Sequence, residues 1–288
     1  MRRWQLVELH ELAWFPRRWR DLLTDFMSFF AKRFRPYAAI ADKLHAAMLS
    51  CGEEEILDLC SGAAEPVLTV QEELARRGVN VVVTVTDLYP NEHVFHRLKA
   101  PRRPAVRCLH RPVDAVRVPA DLPGFRTFFS AFHHFQPDEA AKILADGVRR
   151  RRGIGIFEYT ERSLRRWGPL IVLMPALVWI ATPFIRPRTV SRLVWTYLIP
   201  VVPLVAAWDA LVSVLRSYHP EELLALARRI DDGGYRWDAG RIDVGAGCRV
   251  TYLLGVPTGA ATTCPSGSSA TDDGPTCRVD KRAGGSGR

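Results

Sequence analysis

The sequence lacks the cysteine patterns that mark disulfide frameworks and zinc sites. Six cysteines are present, but none forms a CxxC pair, and no group of histidines and cysteines has the spacing of zinc ligands. The amino-terminal residues also lack the apolar core of a secretory signal, because Glu8, His10 and Glu11 interrupt it. We therefore expect free thiols, no bound metal and a cytoplasmic protein.

Acidic residues are outnumbered by basic ones, 31 against 40, and the net charge of +9 is carried mostly by arginine. Such a surplus favours anionic partners, although it says nothing about the fold. Hydrophobic residues make up 48% of the chain and charged residues 25%, which excludes overall disorder and a polytopic membrane protein. The length suits one large α/β domain with additions, or two small domains.

The two ends of the chain have contrasting compositions. Residues 1–50 carry apolar and aromatic residues at helical spacing, and Pro16 and Pro36 divide them into about three short helices. We interpret this region as a helical cap. Residues 258–288 consist largely of Gly, Ser, Thr, Ala and Asp, which cannot bury a core, so we expect a disordered tail.

Between these ends, residues 51–160 alternate between strand-like and helix-like segments. Short apolar or β-branched runs stand at 55–59, 80–86, 105–109, 126–131 and 153–158, with helical patterns at 66–77 and 137–150. This alternation predicts an α/β fold, a Rossmann-like doubly wound and mostly parallel sheet. Residues 219–257 add a helix and two strand-like runs, which we expect to complete the sheet as an antiparallel hairpin.

Residues 161–218 form an apolar insertion in this pattern. No residue from 167 to 185 or from 193 to 208 is charged, and prolines interrupt the first run. We favour helices of a hydrophobic lid over the substrate mouth, since short proline-containing runs are often buried helices. The alternative is a membrane contact, because arginines precede the run at 149–152, 162, 165 and 166.

A loop of small residues follows the first strand of the core, in the stretch EILDLCSGAAEP at 55–66. The strand ends at Asp58 and Leu59, and a helix begins near Pro66. In a doubly wound sheet, ligands bind at the carboxyl ends of the strands, where small residues let the backbone approach them. Free amides at the helix amino terminus suit a carboxylate. The predicted ligand-binding residues here are Asp58, Cys60, Ser61, Gly62 and Ala63.

An acidic residue ends the next strand. Asp87, followed by Leu88, lies 25 residues after Gly62. A carboxylate at this point can accept both hydroxyl protons of a ribose, as in nucleoside-binding βαβ units. The plainer interpretation, that Asp87 caps the following turn, is compatible with the same role.

In this order the two motifs resemble those of class I S-adenosylmethionine-dependent methyltransferases, whose first motif cradles the amino-acid half of the cofactor. The family pattern places glycines at Cys60 and Ala64, where this chain has other small residues. The resemblance implies S-adenosyl-L-methionine as cofactor, with Asp114 and Ala115 at the adenine. It covers residues 55–160 by motif and 216–256 more loosely.

A pair of histidines follows the fourth strand, in the stretch FRTFFSAFHHF at 125–135. Ser130, at the strand end, is predicted to face the cofactor. Similar small-molecule methyltransferases often carry His-His here, so His133 and His134 are candidate catalytic residues, one of them as a general base. Packing or capping roles remain as the alternative. A dedicated base is optional, because the sulfonium is an excellent leaving group and positioning supplies much of the acceleration.

Five residues are predicted to contact the substrate. Glu158 ends the fifth strand, and Arg216 could clamp a carboxylate from the edge of the apolar insertion, unless it forms an ion pair with Asp209. Trp14, Tyr37 and Trp208 are the aromatic candidates.

The resemblance predicts methyl transfer to an oxygen or nitrogen of a small, apolar or aromatic metabolite, carboxylates included. The alternatives are a membrane-associated methyltransferase of a lipid or quinone, and a non-catalytic cofactor-binding protein. Nucleic acid is not an expected partner, because the Asn/Asp-Pro-Pro-aromatic box of base-methylating relatives is missing. The chain is expected to be a monomer or a homodimer.

Overall fold

The computed structural model describes residues 2–91, 94, 95, 98, 105–245 and 247–259. Apart from its first two residues, the predicted disordered tail lies outside this part of the chain.

One seven-stranded sheet forms the centre of the molecule, with the strand order β3-β2-β1-β4-β5-β7-β6. Strands β1 to β5 run parallel, and β7 is antiparallel to both of its neighbours, β5 and β6. The strand order reverses between β1 and β4, which places a crevice above their carboxyl ends. The strands are β1 Glu55–Asp58, β2 Val82–Val85, β3 Val106–Cys108, β4 Phe125–Phe129, β5 Ile154–Glu158, β6 Tyr235–Gly245 and β7 Cys248–Pro257.

The structure gives the bounds of eight α-helices within the described residues. Short 3-10 turns precede α1, α2 and α4, and a π-helical turn at Val194–Leu198 extends α6. The helices are α1 Arg17–Phe34, α2 Ala41–Ser50, α3 Glu65–Arg76, α4 Pro137–Arg149, α5 Leu164–Ala181, α6 Val190–Leu193, α7 Val201–Arg216 and α8 Pro220–Ile230.

Helices cover both faces of the sheet, as a doubly wound fold requires. On one face, Leu44 of α2 and Leu68 of α3 belong to the same buried cluster as Ile56 of β1. On the other face, helices α4 and α8 pack over Leu57 and Phe128. Strands β1 and β4 are buried on both faces, and the charged side chain inside β4, Arg126, is paired with buried Asp146 at 2.9 Å. The predicted fold class and the closing antiparallel hairpin are confirmed.

The amino-terminal cap and the apolar insertion share a third hydrophobic cluster. Phe15, Leu22 and Phe26 pack with Val178 of α5 and Val205 of α7. Proline sets the helix boundary here: α1 begins directly after Pro16, whose fixed φ suits a helix start. The insertion therefore packs on the cap.

Helix α5 and the turn after it, Leu164–Phe184, are long and apolar enough to cross a membrane. Only 28% of its most apolar stretch is buried. The following pair, Val190–Leu198 and Val201–Arg216, passes the same test only when joined across a 71° bend. A core helix of a soluble protein is usually mostly buried, and this one is not.

Candidate functional site

The loop between β1 and α3 has the backbone of a glycine-rich loop without most of the glycines. Cys60, Gly62 and Ala64 have φ values of 58°, 52° and 62°, in the left-handed region. This region costs a residue with a Cβ about 1–2 kcal/mol. The family pattern places glycine at positions 60 and 64, so the conformation is kept although the residues differ. Such strain is concentrated at functional sites.

The carboxylate at the end of β2 closes this loop. Asp87 accepts a hydrogen bond from the backbone N–H of Gly62 at 3.0 Å and another from Tyr89 at 2.9 Å. A carboxylate has about four acceptor positions, so two remain for a ligand. Asp87 therefore joins two neighbouring strand ends and has room to accept from a pair of hydroxyl groups.

Two further acids flank the loop. Asp58 is buried and accepts from the Thr127 hydroxyl at 2.7 Å, and burial raises the pKa of Asp58 to about 7. Asp114 is exposed, and one of its carboxylate oxygens accepts from the Val116 N–H at 2.8 Å. The backbone N–H of Val113 also donates to the carbonyl of Asp87, at 2.9 Å, which brings the second and third acidic motifs together.

Ser130, at the end of β4, connects the cap to the crevice. Its φ is 47°, and its hydroxyl lies 2.5 Å from the hydroxyl of Tyr37 and accepts from the Tyr159 N–H at 3.2 Å. Tyr37 is buried, and burial raises the pKa of its phenol. Tyr37 is therefore a neutral group at the strand ends, and its hydroxyl is hydrogen-bonded to Ser130, whose backbone is in the left-handed region.

His133 is buried between two carboxylates. Its Nδ1 lies 2.7 Å from Glu158 Oε2, and its Nε2 lies 3.3 Å from Glu8 Oε1. Burial lowers the pKa of His133, but the two acids outweigh this and raise the pKa to about 10. The other oxygen of Glu158 accepts from the N–H groups of Phe132 and His133. At neutral pH His133 is an imidazolium, so it has no free lone pair to take a proton.

The pKa of His134 is shifted in the opposite direction to that of His133. Burial and the neighbouring His133 charge lower its pKa, which leaves the ring neutral at pH 7. Its Nδ1 contacts Glu11, which is also bound by Arg216 through two hydrogen bonds of 2.9 Å. Of the two histidines, His134 has the protonation state of a base. The catalytic role of either one stays a prediction.

Arg216 has the bidentate geometry expected of a carboxylate clamp, but the carboxylate is the chain's own Glu11. The alternative pair of Asp209 with Arg216 is wrong. Asp209 accepts from the Leu9 N–H at 2.7 Å and contacts His10 Nδ1 at 2.9 Å. Both residues do share a face of α7, and that face binds the amino-terminal segment.

The aromatic candidates are distributed unevenly. Tyr37 lies at the strand ends, whereas Trp14 is 69% exposed and its ring lies 6.2 Å from that of Phe15. Trp208 is partly exposed and donates its indole N–H to the Val7 carbonyl at 3.1 Å. The structure thus brings Tyr37 and Glu158 to the strand ends and ties Arg216 to the histidine pair. It does not bring Trp14 to them.

The amino-terminal segment, residues 3–11, is the part of the site that the sequence motifs missed. Arg3 donates to the carbonyls of His133 and Phe135, and Glu8 accepts from the Ser213 hydroxyl at 2.8 Å. The available signal was the cluster of Glu8, His10 and Glu11 within an otherwise apolar start. From the sequence alone, this cluster indicated only that the amino-terminal residues are not a signal peptide.

Glu8, His10 and His134 offer ligand atoms within 4.8 Å of one another, the spacing of a metal site. However, the Arg216 guanidinium lies 3.4 Å from His134 Nδ1 and 3.8 Å from Glu8. A fixed cation at that distance opposes a metal ion and neutralises the acids in its place. The cluster is therefore best described as an internal charge network.

Comparison with known proteins gives similarity at the level of structure. No model of a known family and no curated protein matches this sequence. The structure is similar to that of the plantazolicin methyltransferase BpumL in complex with S-adenosylhomocysteine. The TM-score is 0.55 at 11% identity, over 87% of this chain and 94% of that one.

A second similar structure is an O-methyltransferase family protein from Burkholderia thailandensis. The TM-score is 0.49 at 14% identity, over 83% of this chain. This chain spans only 59% of that protein. The first of the two likenesses extends over nearly the whole of both proteins. The chain therefore has the fold of class I S-adenosylmethionine-dependent methyltransferases.

Proposed function

We propose that this protein binds S-adenosyl-L-methionine above β1 and β2 and transfers its methyl group to an oxygen or nitrogen of a small acceptor. The observation that carries this proposal is the left-handed loop at 60–64 joined through Gly62 to the Asp87 carboxylate. The protein with the similar fold holds S-adenosylhomocysteine, the demethylated form of the same cofactor.

The residues present fit that cofactor. Asp87 keeps two acceptor positions for ribose hydroxyls, and Asp114 keeps one carboxylate oxygen free of the Val116 bond for an exocyclic amine. The amino terminus of α3 directly follows this loop, and the dipole at a helix amino terminus favours a carboxylate there. When bound, the cofactor supplies an electrophilic methyl group on a sulfonium.

Positioning is the chemistry that this chain itself supplies. Tyr37 and Ser130 form a partly buried hydroxyl pair at the end of β4, which can orient an acceptor and exclude water. His134, neutral at pH 7, is the residue whose protonation state suits the removal of a proton. His133, held as a cation by Glu158 and Glu8, orients the turn that carries His134.

Calorimetric titration with S-adenosylmethionine and S-adenosylhomocysteine tests the binding step. We expect Asp87→Asn to weaken binding roughly 10- to 100-fold, because it replaces a charged acceptor of two hydrogen bonds. Asp121→Asn removes the same charge from an exposed pair with Arg111, and it should leave binding unchanged. No binding by the native protein, or equal binding by both variants, rules the proposal out.

The acceptor is proposed to be apolar or aromatic, because the Tyr37 ring packs edge-on against Phe129, the last residue of β4, at 5.2 Å, so aromatic side chains lie at this strand end. Incubation of cell extract with methyl-labelled cofactor, followed by identification of the labelled product, tests this class. Retained cofactor binding with no labelled product would favour the non-catalytic alternative.

A second candidate is methylation of a lipid or quinone at a membrane. The observation that favours it is the exposure of the apolar helix α5. Labelled product in the lipid fraction of the same extract distinguishes this candidate from a water-soluble acceptor. The cytoplasmic location stays a prediction in both cases.

A further inference from the structure

Helix α5 turns an apolar face to the outside of the molecule. Its exposed residues include Val172, Leu173, Trp179 and Ile180, which form two pairs seven positions apart and so share one side of a helix. Val178 and Ala181, on the opposite side, are buried in the third hydrophobic cluster. Both sides of α5 are therefore apolar, and only one of them has a partner within the described residues.

The segment that follows continues this surface. The side chains of Val190, Leu198 and Leu204 are also exposed. Trp179 donates its indole N–H to the Thr196 carbonyl at 2.9 Å, so the two parts lie side by side. We name this surface the apolar hairpin face and define it by its exposed residues: Val172, Leu173, Trp179, Ile180, Phe184, Val190, Leu193, Leu198 and Leu204.

The polar atoms of Trp179, on this face, and of Tyr197, beside it, form hydrogen bonds within the protein. The Tyr197 hydroxyl donates to the Trp179 carbonyl at 2.7 Å, and the Trp179 indole N–H is bonded to Thr196. A polar group without a partner costs several kcal/mol in hydrocarbon. These pairings remove that cost, so the face can be covered by an apolar medium as well as by protein.

The segment that carries the apolar hairpin face has charged residues of one sign, although Glu161, just before it, lies 3.7 Å from Arg166. Residues 162–208 contain six arginines and no acidic residue. Arg162 and Arg192 are buried against Glu222 and Asp25, whereas the other four are exposed. These four are Arg165 and Arg166 at the start of α5, and Arg186 and Arg188 at its far end.

We propose that the apolar hairpin face docks on an anionic lipid bilayer, with its helices lying in the interface. Exposed apolar residues flanked by arginine and tryptophan are typical of interfacial helices, and arginine is attracted to anionic headgroups. Helix α5 does not cross the bilayer in this arrangement, because its inner side packs on Val205 and Ala206 of α7. This inference goes beyond the proposed function and does not depend on methyl transfer.

A second copy of the chain is a poorer occupant of this face. In a two-fold interface the same patch lies on both sides, so arginines at each end would meet arginines. No acidic residue between 162 and 208 is available to compensate them. Like charges across an interface are unfavourable, whereas an anionic bilayer complements them.

The start of α5 also lies next to the crevice. The Trp167 ring packs edge-on against the Tyr159 ring at 5.3 Å, and Tyr159 donates its backbone N–H to Ser130. A protein docked through this face holds the crevice near the bilayer. An apolar acceptor dissolved in the membrane therefore has a short route to the strand ends.

Co-sedimentation of the full-length protein with lipid vesicles tests the proposal. Phosphatidylcholine vesicles with phosphatidylglycerol should bind the protein, and those without it should bind it weakly. The double variant Val172→Glu and Ile180→Glu should abolish binding, since these side chains are 79% and 67% exposed on the apolar hairpin face. Leu49→Glu alters an equally exposed leucine (66%) on α2 and should bind as the native chain does.

Removing charge gives a graded test. Arg186→Gln with Arg188→Gln should lower partitioning to anionic vesicles roughly 30-fold, the effect of two charges near such a surface. Circular dichroism without vesicles checks that each variant is folded. Cofactor titration without vesicles shows whether the binding step of the proposed function is unchanged, so a loss of vesicle binding can be assigned to the apolar hairpin face. Equal binding by native and Val172→Glu/Ile180→Glu proteins overturns the proposal. So does a dimer that these two substitutions dissociate while vesicles go unbound.

Discussion

The loop at 60–64 and the histidine network, which consists of His133, His134 and the acids that contact them (Glu8, Glu11 and Glu158), lie at the same edge of the sheet, yet their polar groups are used differently. Beside the loop, Asp87 and Asp114 accept from backbone N–H groups, and within the described part of the chain no side chain fills their remaining acceptor positions. In the network, Glu158 uses both oxygens on His133 and its turn. Polar residues at strand ends become a ligand site only where the fold leaves their hydrogen-bonding capacity unfilled.

The network should therefore matter for stability and the loop for binding. Glu158→Gln keeps the size of the side chain but leaves the buried His133 cation with one acid instead of two. Breaking a buried pair from one side costs about 3–5 kcal/mol in the free energy of unfolding. Urea denaturation measures this loss. A variant as stable as the native protein would show that the histidine network does not stabilise the fold.

A matched control is the exposed pair between Lys43 and Asp238, whose carboxylate is 54% exposed. Asp238→Asn removes the same charge, but an exposed ion pair contributes only about 0–1 kcal/mol. A loss as large as that of Glu158→Gln would show that burial is not the cause.

The same network can be weakened by pH instead of mutation. The folded pKa of His133, about 10, lies above its ordinary value of 6.5. Its stabilising contribution is therefore complete below pH 6.5 and is lost as pH rises toward 10. Glu11 has a folded pKa of about 2 against 4.5, so its contribution is lost as pH falls below 4.5. The network stabilises the fold most between these limits.

We expect the free energy of unfolding to fall by roughly 2 kcal/mol between pH 6.5 and pH 8. Urea midpoints at the two pH values measure the change. In His133→Gln the decline over this interval should be much smaller, since the titrating group is gone. A native protein whose stability is flat across this interval contradicts the assignment of His133 as a buried cation.

The smallest effect concerns the backbone of the loop. Ala64 has a left-handed φ of 62°, whereas neighbouring Ala63 is not among the residues with positive φ. Ala64 is fully buried and Ala63 only partly, so Ala64→Gly removes a better-packed methyl group, worth about 0.8 kcal/mol, but only position 64 is relieved of a strain of about 1–2 kcal/mol. We expect Ala64→Gly to be about 1 kcal/mol more favourable than Ala63→Gly, as measured by thermal or urea unfolding. An Ala64→Gly variant less stable than Ala63→Gly would exclude a strain larger than the packing energy of the lost methyl group.

Most of the sheet could be predicted from the sequence because its signals are local. The runs at 55–59 and 153–158 are apolar because parallel strands are buried on both faces, and the structure places β1 and β5 within them. The order of the cofactor motifs also follows from the chain, since successive parallel strands end at the same edge of the sheet. The left-handed backbone at Cys60 and Ala64 agrees with the glycine pattern of the resembling family.

Only the tertiary structure decided which charged groups meet. His10 pairs with Asp209 and Glu11 with Arg216, across 199 and 205 residues of sequence. The spacing of Asp209 and Arg216 on α7 correctly placed both residues on one face of the helix. It could not show which residues they contact, and the ion pair considered between them was wrong. A helical or strand period reports contacts within one element, whereas contacts between distant elements depend on how those elements pack. The sequence alone determined the sheet and its motif order, and packing decided that the histidine pair is held by the amino-terminal segment.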